Sequence, residues 1–399
     1  MMLAVLAATI AIWQGETRYH FGEVDSPLVT RTGKIVAENG FPDKVVWGAG
    51  RDVAEIRADV SAGTYGQVEV SDRKMPDNTY LLDLWQHPRA VARANGVEPF
   101  SPAHYAAMRP LWEQLAQAGQ KFLTVTLLDL PWNHQCFDEY RSLVQVTEQA
   151  DGTWRYDWSR FDEYVEFGLS CGIGPYLSCW TMCPWGNVHR WRNEADEETV
   201  QELVPGTQEY ARFWTPYLAA LRDHLREKGW LNRAFIAMDE RSPREVRDIV
   251  ELVKSVAPEL KIQMAGDRSA GDFGETEIDY YAQSFTHLDE GFFQTVLPER
   301  QKRGLLTSYY VCCHPASPNT FIHSPREEAA WLAEHVAEIG LNGFLRWAYN
   351  SWPQDPDHDA SFGNWPAGDT FLVYPDGSPS VRFLELRNGI SAALKRGAK

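Results

Sequence analysis

The sequence predicts an α/β fold, a (β/α)8 TIM barrel preceded by a short β-rich N-terminal segment. From Tyr80 onward, short apolar runs alternate with helical patterns, and eight such units can be counted. One of these runs, 234–240, ends in two adjacent carboxylates. A short apolar run between helices is typical of a buried parallel strand, and eight in alternation are typical of a barrel. A doubly wound open sheet is the alternative.

The elements follow in order along the chain. Residues 1–79 are expected to form the β-rich segment, with strand-like pieces at 44–47 and 67–70, and residues 80–399 the barrel domain. Ser101-Pro102 predicts a helix start, which Gly119 ends, because Ser caps a helix and Pro suits its first turn. Strands are expected at 80–85, 121–128, 175–180, 234–240, 261–265, 279–284, 306–312 and 343–347. Further helices are expected at 159–171, 209–228, 243–256, 290–304, 324–339 and 380–394, and long loops at 129–158 and 181–208.

Composition and charge exclude several classes of protein. The net charge of -17 argues against a nucleic-acid partner and against an anionic membrane surface. Six Cys show no C-x-x-C pair and no zinc-ligand spacing, so we expect buried free thiols and no metal. No phosphate-binding glycine loop and no G-x-S-x-G elbow are present, and no cofactor is expected. Sixteen Trp and sixteen Tyr instead suit stacking on sugar rings.

The N-terminal stretch 2–13 is apolar, but it lacks a basic region and is too short to span a bilayer. We therefore expect a strand or a start-site remnant in preference to a signal peptide. No later segment of the sequence is long enough to cross a membrane. The sequence indicates neither the compartment nor the oligomeric state.

The carboxyl ends of barrel strands carry the chemistry of this fold. In this chain those ends are rich in aromatic, amide and charged side chains. The substrate-binding candidates are Trp347, Tyr349, Asn350, Trp352, Trp180, Asp129, Trp132, Tyr309 and Arg346. Arg346 lies within an apolar strand, so we expect it to balance a buried carboxylate, such as one of the acid pair. Asp355, Asp357 and Asp359 alternate like a calcium loop, but Ala360 stands where glycine is needed, which predicts an ordinary solvated loop.

Asp239 and Glu240 are the catalytic candidates, because no other Asp-Glu pair of the chain ends an apolar strand. Ordinary glycosidases place two carboxylates across the scissile bond, and the run 306–312 ends without an acid. Adjacent carboxylates suit a reaction in which the 2-acetamido group of the sugar is the nucleophile. Glu240 would then protonate the leaving oxygen, and Asp239 would orient the acetamido group. Consecutive strand residues face opposite ways, so the strand must turn or end at Asp239.

Several separated motifs resemble the catalytic domain of glycoside hydrolase family 123. They are found, in order, at 80–88, 118–121, 131–133, 237–241, 345–352 and 365–369, and the resemblance covers roughly 80–396. It implies a (β/α)8 barrel and an exo-acting β-N-acetylgalactosaminidase that works by substrate-assisted catalysis with retention. The family's Asp-Glu pair falls on Asp239 and Glu240. The implied partner is a glycan with terminal β-N-acetylhexosamine, and an extracytoplasmic location is compatible with it.

The sequence departs from the family pattern at its front, where relatives carry a full β-sandwich and this chain has about 80 residues. The match also leaves open the choice between N-acetylgalactosamine and N-acetylglucosamine. Two other functions stay open. One is a non-catalytic glycan-binding barrel. The other is a barrel hydrolase that pairs Glu240 with a distant acid such as Asp129 or Asp267.

Overall fold

The computed structural model describes residues 16–20, 30–38, 41–47, 64–71 and 79–397. The strands are β1 (Glu16–His20), β2 (Thr30–Glu38), β3 (Phe41–Trp47), β4 (Thr64–Ser71), β5 (Leu81–Leu84), β6 (Phe122–Thr126), β7 (Gln145–Glu148), β8 (Trp154–Asp157), β9 (Tyr176–Trp180), β10 (Val188–Asn193), β11 (Glu198–Glu202), β12 (Ala234–Asp239), β13 (Lys261–Gly266), β14 (Tyr280–Ser284), β15 (Leu306–Tyr310) and β16 (Gly343–Arg346). The α-helices are α1 (Pro88–Asn95), α2 (Pro102–Gln117), α3 (Ser159–Ser170), α4 (Gln208–Glu227), α5 (Pro243–Val256), α6 (Leu297–Lys302), α7 (Arg326–Glu338) and α8 (Val381–Gly397). The apolar stretch 2–13 lies outside the described residues. Within the described ranges, no helix has the length and apolarity needed to cross a bilayer.

Eight parallel strands form one sheet in the order β5-β16-β15-β14-β13-β12-β9-β6, which confirms the predicted barrel. The two ends of this sheet meet where Leu82 of β5 forms a backbone bridge with Gln120, two residues before β6. Side-chain amides extend this seam. Gln120 Oε1 accepts from the Leu84 amide at 2.9 Å, and Gln86 Oε1 accepts from the Thr124 amide at 2.8 Å. These side-chain amides replace the backbone hydrogen bonds that would otherwise join β5 to β6. The backbone groups of the seam are therefore satisfied inside the protein.

Aromatic side chains fill the inside of the barrel. Residues of each strand face alternately inward and outward toward the helices. Among the inward residues, the ring of Phe122 lies 4.8 Å from that of Tyr280 and 5.1 Å from that of Tyr176. Trp85 and Trp180 lie 4.3 Å apart. The interior is therefore a packed core, as expected for this fold.

A buried polar chain crosses the same interior. Asp83 Oδ2 accepts a hydrogen bond from Gln263 Nε2 at 2.8 Å, and Gln263 Oε1 accepts one from Ser178 Oγ at 2.6 Å. Burial raises the pKa of Asp83 to about 8, because the ionised carboxyl would lie in an environment without water.

The turn from β12 into α5 places the two catalytic candidates. Ser242 caps α5, since its Oγ accepts from the Glu245 amide at 3.3 Å. Glu245 returns the contact by accepting from the Ser242 amide at 3.1 Å, which completes a capping box. Pro243 occupies the first turn, where its missing N–H costs nothing. The N-cap of α5 is thus fixed three residues beyond Asp239, and Glu240 and Arg241 are left to make the turn.

The prediction of long loops at 129–158 and 181–208 was wrong in part. Strands β7, β8, β10 and β11 lie within these ranges and form a small sheet in the order β11-β10-β7-β8. Helix α1 was not predicted at all. In the range 290–304, the α-helix is confined to α6 and follows a π-helical turn at Phe292–Val296.

The described N-terminal strands form a four-stranded sheet in the order β1-β4-β2-β3. A buried ion pair joins β3 to the barrel, because both Asp43 oxygens accept from Arg382 at 2.8 and 3.0 Å. Tyr374 donates its hydroxyl to the same carboxylate at 2.7 Å. The Val45 amide also donates to the Pro379 carbonyl at 3.0 Å. The division of the chain into segments 1–79 and 80–399 stays a prediction.

Candidate active site

Strand β12 delivers Asp239 and Glu240 to the barrel mouth. Phe235 and Ala237 belong to the inward-facing cluster, and Asp239 shares their alternation. Simple alternation would turn Glu240 outward. The strand ends at Asp239, however, and Glu240 has a φ of 48°, in the left-handed region. The Glu240 amide still bonds to the Ala265 carbonyl at 2.8 Å. The backbone thus turns at the second acid, which answers how neighbouring residues can serve one site.

Asp239 is held by an indole from the loop after β9. Trp185 Nε1 donates to Asp239 Oδ2 at 3.2 Å. The guanidinium of Arg241 lies 4.7 Å from the centre of the Trp185 ring, and Arg241 Nε donates to the Cys183 carbonyl at 3.1 Å. The Trp185 amide donates to the Pro131 carbonyl at 3.0 Å. This loop therefore fixes the indole on which the orientation of Asp239 depends.

Glu240 is held from the opposite side of the mouth. The Tyr310 hydroxyl donates to Glu240 Oε1 at 2.7 Å. Tyr310 ends β15, and β13 and β14 lie between that strand and β12 in the sheet. The carboxyl group of Glu240 consequently lies across the barrel mouth.

Burial and like charge both act on this pair. Burial, followed by the charge of Glu240, raises the pKa of Asp239 to about 8, and the bond from Trp185 opposes this rise. Burial also raises the pKa of Glu240, with the Tyr310 hydroxyl acting against it and the charge of Asp267 adding to it. Because two adjacent buried carboxylates repel when both are ionised, the pair retains a proton near neutrality.

Three of the sequence-predicted binding residues lie together inside the barrel. Trp132, Trp180 and Trp347 belong to or pack against the inward-facing cluster that also holds Tyr310. The rings of Trp132 and Trp180 are 5.1 Å apart, and Trp347 lies 5.9 Å from Trp365. These indoles share the interior with the acid pair.

Four other candidates have their polar atoms occupied by the protein. The Tyr349 hydroxyl bonds to the Leu111 carbonyl at 3.1 Å, and the Tyr309 hydroxyl bonds to the Leu332 carbonyl. Trp352 Nε1 donates to the Val373 carbonyl at 2.6 Å. Asn350 binds the backbone amide and carbonyl of His87 at 2.8 and 2.9 Å. These contacts give a structural reason for each residue, and their part in substrate binding stays a prediction.

The last two candidates are both engaged in ion pairs. Arg346 bonds to Asp369 Oδ1 at 2.6 Å and to the Val311 carbonyl at 2.8 Å, and both partners of the ion pair are completely buried. Arg346 therefore balances a buried carboxylate, but that carboxylate is Asp369 and not a member of the acid pair. Asp129 accepts from the Ser142 amide at 2.6 Å and pairs with Arg141 at 3.3 Å. It borders a separate cavity of about 670 Å³ whose lining does not include the acid pair.

Trp185 and Tyr310 are the contacts of the pair that sequence reasoning missed. Tyr310 could have been found from strand alternation, because Tyr309 and Tyr310 must face opposite ways and only one can face the barrel interior. Trp185 lies in a loop, and its sequence context carries no comparable signal. Asp267, one residue beyond β13, is paired with Arg268 at 2.9 Å.

The alternating acids after β16 also form ion pairs or hydrogen bonds within the protein. Asp357 pairs with Lys44 at 3.0 Å, Asp355 with His358 at 3.0 Å, and Asp359 accepts from the Ser361 amide at 3.0 Å. Within the part of the chain that is described, no group of three or more His, Cys, Asp or Glu side chains is arranged to hold a metal ion.

A (β/α)8 barrel with buried carboxylates and indoles at its mouth has the form of a glycoside hydrolase. The chain matches the model of the family described as "Glycoside hydrolase 123, catalytic domain" over residues 85–395. It therefore belongs to glycoside hydrolase family 123 and is a glycoside hydrolase. None of the curated proteins matches the chain significantly.

A solved structure shows the same fold. A family 123 glycoside hydrolase from Clostridium perfringens, described in terms of glycolipid glycan hydrolysis, superposes with a TM-score of 0.76 at 24% identity, over 91% of this chain and 74% of that one. An endo-β1,6-glucanase gives a TM-score of 0.46 at 11% identity, over 79% of this chain and 77% of that one. A xylanase from Thermobacillus composti gives 0.39 at 10% identity, over 78% and 97%. The last two likenesses carry no argument about this chain.

Proposed function

We propose that the chain is a retaining, exo-acting hydrolase that removes terminal β-linked N-acetylgalactosamine with the help of the sugar's own 2-acetamido group. The observation that carries this proposal is the adjacency of Asp239 and Glu240 at one strand end, both turned into the mouth. The end of β15 presents Tyr310, which is not an acid. Two consecutive residues are poorly placed to flank a glycosidic bond from opposite sides. They suit one proton donor and one group that orients an internal nucleophile.

In the first half-reaction, Glu240 gives its proton to the glycosidic oxygen as the bond from that oxygen to C1 breaks. The acetamido carbonyl oxygen attacks C1 from the opposite face and closes a cyclic oxazolinium ion. Asp239 accepts the hydrogen bond of the acetamido N–H, which orients the carbonyl and stabilises the positive charge that forms.

In the second half-reaction, Glu240 takes a proton from water while the water oxygen attacks C1. The oxazolinium ring then opens and restores the acetamido group. Both attacks invert C1, so the product keeps the β configuration of the substrate. Glu240 serves first as general acid and then as general base.

The shared proton of the pair fits this division of roles. Because the pKa values of both acids are raised, the pair holds one proton in the absence of substrate. A substrate N–H that donates to Asp239 favours the ionised form of that carboxyl, so the proton resides on Glu240. Because the Tyr310 hydroxyl donates to Oε1, the proton of Glu240 is carried on Oε2.

The substrate class follows from the family and its relative. The related enzyme from C. perfringens is described as acting on a glycolipid glycan. We extend this to the present chain as a terminal β-N-acetylhexosamine on a glycan, with N-acetylgalactosamine preferred over N-acetylglucosamine.

The test is turnover of aryl β-glycosides of N-acetylgalactosamine, N-acetylglucosamine and galactose. We expect turnover of the acetamido sugars, inhibition by a thiazoline analogue and no turnover of the galactoside, because galactose lacks the internal nucleophile. Full activity on the galactoside would overturn substrate assistance.

The roles of the two acids are tested with Glu240→Gln and Asp239→Asn. Each should lower kcat/KM on a poor leaving group about a hundredfold or more. Glu240→Gln should recover on a dinitrophenyl leaving group, which needs no proton, whereas Asp239→Asn should not. Matched variants Asp129→Asn and Asp267→Asn keep most activity. A loss in either of these as large as that of Glu240→Gln would favour a pairing of Glu240 with a distant acid.

A further inference from the structure

Two adjacent cysteines lie just beyond the end of β15. The sulfurs of Cys312 and Cys313 are 3.8 Å apart, close enough for one thiol to donate to the other. Both side chains are half-buried, as is that of Cys136, whereas Cys171, Cys179 and Cys183 are buried. The pair therefore combines proximity of two thiols with access from solvent.

Cys313 differs from the other cysteines in the direction in which its pKa is shifted. The hydrogen bond from Cys312 lowers the pKa of the Cys313 thiol to about 7, and the same contact raises that of Cys312. Burial raises the pKa values of Cys136 and Cys179 to about 12. Since the thiolate is the nucleophilic form, Cys313 is the most reactive cysteine of the chain at neutral pH.

We infer that Cys312 and Cys313 form a redox modification site, in which a small-molecule disulfide converts the two thiols into a vicinal disulfide at the rim of the candidate active site. The position of the pair carries this inference. Cys312 packs against the interior cluster that holds Tyr310, and Tyr310 is the hydrogen-bond donor to Glu240.

The reaction is two successive thiol–disulfide exchanges. The Cys313 thiolate attacks one sulfur of the small disulfide, forms a mixed disulfide and releases one small thiolate. The Cys312 sulfur then attacks the sulfur of Cys313, and the second small thiol leaves with the proton that Cys312 loses. The two cysteines are oxidised by two electrons in total, and the small disulfide is reduced to two thiols.

Formation of the vicinal disulfide disturbs hydrogen bonds that hold the rim of the candidate active site. A disulfide keeps its sulfurs about 2.0 Å apart, so the two atoms must approach from their present separation of 3.8 Å. The carbonyls before and after the Cys312 α-carbon are both held. Arg346 Nη1 donates to the Val311 carbonyl at 2.8 Å, and Asn319 Nδ2 donates to the Cys312 carbonyl at 2.9 Å.

Rotation of the peptide between the two cysteines therefore pulls on Asn319 and on the backbone that carries Tyr310. Because the Tyr310 hydroxyl donates to Glu240, this movement alters the acid that the proposed reaction uses. The effect on turnover rests on the proposed function, whereas the modification itself does not.

The modification is tested by incubating the whole chain with oxidised glutathione and measuring the intact mass and a peptide map. We expect a loss of two hydrogen atoms, confined to the peptide with Cys312 and Cys313 and reversed by dithiothreitol. The variants Cys312→Ser and Cys313→Ser should lack this change, and the matched variant Cys136→Ser should show it. A glutathione adduct that persists in the unsubstituted chain, or an unchanged mass, would overturn the inference.

The coupling is tested by turnover of an aryl β-N-acetylhexosaminide before and after oxidation. Oxidation should lower kcat/KM about tenfold, as expected for a disturbed hydrogen bond to a charged group, and reduction should restore it. Cys313→Ser should be insensitive to the oxidant. Disulfide formation with unchanged turnover would refute the coupling. A reduced protein without any turnover would instead refute the proposed function, and the mass measurement would still decide the modification.

Discussion

The carboxyl ends of β12 and β16 are both rich in polar side chains, but their hydrogen bonding differs. At β12, Asp239 and Glu240 receive side-chain donors from Trp185 and Tyr310, and each carboxyl keeps an oxygen beyond that contact. At β16, Arg346 is completely buried, and its guanidinium is held by Asp369 and by the Val311 carbonyl. Asp239 and Glu240 stay partly exposed, so a polar residue at a strand end is open to a substrate only where the protein leaves part of it accessible.

The largest effect should come from breaking the ion pair at β16. Arg346→Met leaves Asp369 as an unpaired buried charge, so we expect the free energy of unfolding to fall by about 3–5 kcal/mol. Urea denaturation followed by fluorescence measures this loss. Glu240→Gln is the matched change at β12 and should cost less than about 1 kcal/mol, because the acid pair already holds a proton and the amide leaves no unpaired buried charge behind.

The double variant Arg346→Met with Asp369→Leu should recover a large part of the lost stability, since it no longer contains a lone buried charge. A loss for Arg346→Met as small as that for Glu240→Gln would contradict the distinction between the two strand ends.

The next prediction compares two neighbouring tyrosines of β15. Tyr310→Phe removes the donor to Glu240, so we expect kcat/KM to fall about tenfold or more. The alkaline limb of the activity profile should also move to higher pH, because the lost hydrogen bond was lowering the pKa of Glu240. Steady-state kinetics across pH measures both.

Tyr309→Phe is the control for that prediction. Its hydroxyl bonds to the Leu332 carbonyl, so its loss should cost about 1 kcal/mol of stability and leave the pH profile in place. An alkaline shift in Tyr309→Phe equal to that in Tyr310→Phe would count against a specific link from Tyr310 to Glu240.

The next prediction concerns how the free energy of unfolding depends on pH. Burial raises the pKa of Asp239 to about 8, so the folded protein keeps a proton that the unfolded chain loses above about pH 4. Stability therefore falls as pH rises from about 4 to about 8, because the folded protein binds more protons than the unfolded chain in this range. Asp239→Asn should flatten the profile in that range.

Asp83 changes stability with pH in the same direction, because burial raises its pKa to about 8 as well. Asp83→Asn should therefore flatten the profile independently, and urea denaturation at several pH values separates the two contributions. A profile for Asp239→Asn as steep as that of the unsubstituted chain would show that Asp239 is already ionised in the folded protein.

The eight barrel strands could be predicted to within two residues at each end, because their apolar runs are long enough to mark buried parallel strands. Strands such as β11 could not, since four of its five residues are exposed and no apolar face distinguishes them from a loop. The position of Asp239 and Glu240 at a strand end was visible in the sequence. Their contacts with Trp185 and Tyr310 were not, because these depend on segments that only the closed barrel brings together.

The smallest expected effect concerns the backbone turn at Glu240, where β12 ends. Glu240 has a φ of 48°, a conformation that costs most residues about 1–2 kcal/mol and glycine very little. Glu240→Gly should therefore be more stable than Glu240→Ala by about 1 kcal/mol, although both lose the acid. Inside the strand the order should reverse, because Ala237→Gly loses about 0.5–1 kcal/mol of stability through backbone entropy. Comparison of the three variants by urea denaturation isolates the backbone from the charge. Equal stability of Glu240→Gly and Glu240→Ala would mean that the turn is imposed by the glutamate side chain and is not built into the chain.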